Sequence, residues 1–148
     1  MSPRPWIALL VAAVATIAAF GYSLFVASAD SQTPELSAGR DLYLANCAKC
    51  HGVNLEGQPD WMKRNENGRL PAPPHDETGH TWHHSDKQLF TITKFGLQAI
   101  APDYESDMPA FEDVLTDDEI RSVLEYIKST WPERQRGYQV GRSKADPY

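Results

Sequence analysis

Two thiols three positions apart with a histidine directly after them, Cys47-Ala48-Lys49-Cys50-His51, constrain this chain more than anything else in its 148 residues. That spacing is what covalent haem attachment requires. On one helical turn both sulfurs can reach the two vinyl groups of a haem and form thioethers. The adjacent imidazole then falls beneath the iron as the proximal axial ligand. The same spacing would serve a dithiol redox site or half of a zinc site. A thioredoxin-like site needs a surrounding βαβ pattern, which the sequence lacks. A four-ligand zinc site usually draws on a second cysteine pair, and Cys47 and Cys50 are the only cysteines.

A chain of this length has room for one small domain with appendages. The first appendage is residues 1–29. After Arg4, the run from Trp6 to Ala27 carries no charge, and at about 1.5 Å per residue it reaches about 33 Å, enough to cross a bilayer core. Ala27-Ser28-Ala29, followed by Asp30, has the small-x-small form of a signal-peptidase site. The run is nevertheless longer than the ~7–15 apolar residues of a signal peptide, which favours a retained anchor. Arg4 precedes the run while Asp30 and Glu35 follow it, so the N-terminus is expected in the cytoplasm and the remainder outside. Of the formal charge of −6, the first 29 residues contribute a single arginine, so the exported part stands at −7. Such a balance argues against nonspecific nucleic-acid binding; it fits either basic docking surfaces on partners or plain solubility.

Residues 30–34 read as a polar linker, and 35–132 as the domain proper. Leu36, Leu42 and Tyr43 begin a helical pattern with Ser37 as its N-cap. Gly39 lies four residues before Tyr43 on the same face, where a bare glycine lets another helix cross closely. Gly52 to Pro74, with Pro59, Pro71, Pro73 and Pro74, reads as loop. Ser85-Asp86-Lys87-Gln88 is a capping box opening a helix that Gly96 stops. Thr116-Asp117-Asp118-Glu119 opens the clearest helix, whose stripe is Ile120, Val123, Leu124 and Ile127 and which Pro132 ends. The tail, 133–148, shows no periodicity and is expected to be mobile or draped over the surface.

Met108, in Ser106-Asp107-Met108-Pro109, is the candidate for a second axial ligand. It precedes the last capped helix, and Pro109 would stiffen the loop that carries it. Its soft thioether would favour ferrous iron. Met62 sits in Asp60-Trp61-Met62-Lys63-Arg64, which reads as exposed loop. His75, His80, Trp82, His83 and His84 form a cluster with three readings: hydrogen bonding in the haem crevice, including a propionate; a copper or zinc site; or a histidine in place of Met108 on the iron.

With these residues in place the chain resembles a class I cytochrome c, over Leu36 to about Trp131. The likeness rests on the helix with Gly39 and Tyr43, the Cys47–His51 attachment site, the Met108-Pro109 loop, and Leu124-x-Tyr126-Ile127 in the last helix. The resemblance implies an all-α fold of three or more helices around one covalent haem c, the first and last helices crossing near Gly39. It implies a one-electron carrier, not an enzyme, of the membrane-associated bacterial monohaem kind. Such a carrier works in the periplasm, tethered to the inner membrane, with a dehydrogenase or terminal oxidase as partner. The segment from Gly52 to Ser85 is longer than in the smallest members. Two rival functions stay open: a haem enzyme or a gas or peroxide sensor with an open sixth site, and a copper-handling protein using the histidine cluster.

Overall fold

The computed structural model describes residues 33–148, and within them every regular element is helical. The anchor or leader expected at 1–29 and most of the expected linker lie outside the described residues. Among residues 33–148 no helix is long and apolar enough to cross a membrane.

Five α-helices follow in order: α1 (Pro34–Asn46), α2 (Ala48–His51), α3 (Asp86–Phe95), α4 (Asp117–Ser129) and α5 (Glu133–Ala145). Short 3-10 turns, Thr81–His83 and Leu97–Ala99, flank α3. The first helix begins three residues before the expected cap at Ser37. Proline is tolerated in the first helical turn because its missing N–H would have no partner there.

Both expected capping boxes are formed. Ser85 Oγ accepts from Gln88 N at 3.1 Å, and Thr116 N donates to Glu119 Oε2 at 2.8 Å. Gly96, at φ 84°, closes α3.

α1 and α4 cross at Gly39, as expected. A Cβ at that position would lie 2.2 Å from Ser122 O and 3.1 Å from Tyr126 Cβ. The crossing brings Tyr43 of α1 against Tyr126 of α4, ring centroids 5.5 Å apart. Tyr43, Ile120, Val123 and Ile127 are all but sealed from solvent, joined in the core by Leu89, Phe90 and Phe111.

The tail corrects an expectation. Residues 133–145 form α5, which docks on the start of α3. Tyr138 meets the Trp82 and His83 rings edge-on, and the remaining contacts are hydrogen bonds. Gln139, 2 % exposed, donates to Asp86 Oδ1 at 2.9 Å, Asp86 N donates to Ser143 Oγ at 2.9 Å, and Ser85 Oγ donates to Asp146 Oδ2 at 2.7 Å. A helix held by hydrogen bonds needs no apolar stripe, so hydrophobic periodicity could not reveal it. Lys128 of α4 also binds Asp86, at 2.9 Å. Together with Gln139 it holds the Asp86 carboxyl below its ordinary pKa, against the opposing effect of burial.

Candidate functional site

The attachment motif is a continuation of α1. Cys47 N donates to Tyr43 O at 2.8 Å and His51 N to Cys47 O at 2.9 Å, so both thiols and the imidazole sit on one helical turn. Gly52, at φ 84°, ends it. Cys47 is half-buried and Cys50 exposed. Burial, with the neighbouring Cys50 adding to it, pushes the Cys47 thiol up to about 11. A dithiol redox centre works through the opposite, a lowered thiol pKa.

His51 is 7 % exposed, and its Nδ1 lies 2.9 Å from Pro73 O. A carbonyl can only accept, so Nδ1 carries the proton and Nε2 keeps a free lone pair for a metal. Burial lowers the His51 pKa, partly opposed by the Pro73 bond, which keeps the ring neutral. Gly52 to Pro74 is loop, as expected, and the irregular stretch runs on to residue 80, yet its backbone is pinned to the turn. Gly57 N donates to His51 O at 2.8 Å and His75 N to Leu55 O at 2.7 Å.

Three main-chain carbonyls organise this side of the site. Pro73 O takes His51, Gly52 O takes the Tyr43 hydroxyl at 2.7 Å, and His75 O takes Trp131 Nε1 at 2.6 Å. Burial raises the Tyr43 pKa far above its ordinary value, so the phenol stays a donor.

The histidine cluster does not come together as one site. His75 stacks on His51, ring centroids 3.9 Å apart and planes 20° apart, with its Nδ1 2.8 Å from Thr81 Oγ1. Burial lowers its pKa well below the ordinary value, with His51 and His80 adding to the effect. Lying against the face of His51, it cannot stand opposite that ring across an iron. His80 stacks on Trp61 and meets His84 edge-on; His83 stacks on Trp82 at 3.7 Å. Among the described residues no three His, Cys, Asp or Glu side chains are placed to hold a metal ion. The copper or zinc reading therefore has no built site.

Trp82 is different. Its indole Nε1 is buried without a protein acceptor, which would cost about 1–3 kcal/mol if nothing satisfied it. A carboxylate such as a haem propionate is the kind of acceptor that fits. The donor set of two thiols, a tautomer-fixed imidazole and an orphan indole N–H matches a covalent haem.

Met108 is half-buried and packs against the core, whereas Met62 is 76 % exposed. The segment carrying Met108 is met by Arg64 and Arg69 from the 52–80 loop, neither of which the sequence pattern singled out. Pro73 and Trp131 were missed as well, because a main-chain acceptor and a lone indole donor leave no spacing signal.

A family model described as Cytochrome c matches residues 36–131. The nitrite reductase of Stutzerimonas stutzeri is 28 % identical over 129 residues, 82 % of this chain and 21 % of that protein. The cbb3-type cytochrome c oxidase subunit FixP of Rhizobium meliloti (strain 1021) is 27 % identical over 116 residues, 76 % of this chain and 36 % of that one. FixP of Sinorhizobium medicae is 26 % identical over 107 residues, 70 % and 33 % respectively. The chain thus spans a fifth to about a third of these relatives' lengths. No solved structure matches.

Proposed function

This chain belongs to the cytochrome c family, and from that premise we propose that it is a one-electron carrier whose covalent haem c is held between His51 and Met108. The reading rests most on His51, whose Nδ1 is committed to Pro73 O so that Nε2 alone can reach a metal. Haem supplies an iron that gains and loses single electrons. Cys47 and Cys50 fix it covalently. Pro73 orients His51, and Trp82 Nε1 would donate to a propionate. Met108 would be the second residue to hold the group, its soft thioether favouring the reduced form and leaving no place for a small substrate.

The partners proposed are a periplasmic dehydrogenase or a terminal oxidase. Kinship to a cbb3-type cytochrome c oxidase subunit favours the oxidase. The negative charge of the exported part suits basic docking surfaces. Residues 1–29 would act as an anchor in the inner membrane or as a cleaved leader, placing the haem domain in the periplasm. A retained anchor confines the carrier beside its partners and raises their effective concentration.

The test is the visible and near-infrared spectrum of the ferric holoprotein beside Met108→Ala. The wild type should show the iron–sulfur charge-transfer band, and the variant should lose it together with a fall in midpoint potential. An unchanged band and potential would overturn the ligand assignment. Rapid carbon monoxide uptake by ferrous wild type near neutral pH would point instead to an open, catalytic or sensing iron.

A further inference from the structure

We propose that Arg64 and Arg69 are positioning residues for the sixth ligand: they clasp the Met108 segment shut, and their grip sets how readily Met108 leaves the iron. The inference rests on Met108 being that ligand.

The clasp is built from a short turn. Asn65 Oδ1 accepts from the backbone N–H of Asn67 and of Arg69, both at 3.0 Å, while Gly68 N donates to Asn65 O at 2.9 Å. Asn65 N returns to Arg69 O at 2.8 Å, and Gly68 takes φ +76°, a conformation glycine adopts without strain. Arg64 Nη1 donates to Gly68 O, so the turn is bonded within itself before it touches anything else. From it two guanidinium groups reach the same strip of chain. Arg64 lies 5.5 Å over the Tyr104 ring; Arg69 Nη1 pairs with Asp107, next to Met108, and its Nε lies 3.5 Å from Glu105 Oε2.

What the strip lacks makes these contacts matter. Its ends are tied, Ala101 N to Leu97 O at 3.0 Å and Phe111 N to Thr93 O at 3.1 Å. Between them, the hydrogen bonds are local, Tyr104 N to Ala101 O at 3.0 Å and Met108 N to Ser106 Oγ at 3.1 Å. Among the described residues, Arg69 makes the only hydrogen bond from residues 102–110 to a distant part of the chain. Apart from apolar packing of Met108, the two arginines are what fastens its middle. Exposed ion pairs are individually weak and screened by salt. That weakness suits a contact that governs a local opening and leaves the overall fold alone.

The experiment is cyanide binding to the ferric full-length holoprotein, where the ligand enters only when methionine leaves. Arg69→Gln should speed binding about two- to fivefold, equivalent to about 0.4–1 kcal/mol, and Arg64→Gln with Arg69→Gln should speed it further. The wild-type rate should rise with ionic strength and the Arg69→Gln rate should not. Arg69→Asp combined with Asp107→Arg should restore slow binding. Unaltered rates and no salt response, with the iron–sulfur band intact, would overturn the clasp alone. Absence of that band from the wild type would overturn the Met108 assignment and the clasp together.

Discussion

The two sides of the proposed haem site are held by different physics. On the His51 side, buried donors meet main-chain carbonyls: Tyr43 to Gly52, His51 to Pro73, Trp131 to His75. Water does not compete there, and each bond left unmade would strand a buried polar group. On the Met108 side, half-exposed arginine meets exposed carboxylates across a strip with no regular structure. The first arrangement fixes the His51 ring; the second only biases the Met108 segment. In the proposed carrier, that asymmetry would keep histidine fast and methionine releasable.

Gly39→Ala is the sharpest challenge to that contrast, since α1 carries the attachment turn and a new methyl would press on the Ser122 carbonyl. It should lower unfolding free energy by about 2–3 kcal/mol in guanidinium titrations. A loss within error would mean the crossing is not what supports the histidine side. Trp131→Phe removes one buried donor and leaves His75 O unmet, for which about 1–2 kcal/mol is expected by the same measurement. Glu105→Gln, on the methionine side, should alter global stability by less than about 0.5 kcal/mol while still hastening cyanide entry slightly. A global effect as large as that of Trp131→Phe would erase the distinction between the two sides.

What the sequence revealed was local. Cys47, Cys50 and His51 announce themselves by spacing. Ser85 with Gln88 and Thr116 with Glu119 set helix starts that the structure keeps, because a capping box is completed within four residues. Gly39 was legible as a bare position on the Tyr43 face. The start of α1 was missed because Pro34 suits a first turn as well as Ser37 suits a cap. α5 was missed because Gln139, Ser143 and Asp146 dock it without an apolar period. For a related reason the His75–His84 run builds no three-residue metal cluster among the described residues: nearness in sequence says nothing of where five rings point. Three of the histidines are spent in stacks, His75 on His51, His80 on Trp61 and His83 on Trp82. Arg64 and Arg69 looked like ordinary loop charges, since partners almost forty positions away leave no mark on a window of sequence.

That the His51 ring is steered by a peptide oxygen has a consequence for how such a protein can diverge. A side-chain partner is lost by one substitution, but every residue type brings a backbone carbonyl. Positions such as Val53 and Met62, exposed along the 52–80 loop, can therefore change without turning the imidazole, provided the chain still follows the same path to Pro73. Such changes can alter the loop's surface outside Arg64 and Arg69 while the bond from His51 to Pro73 is kept.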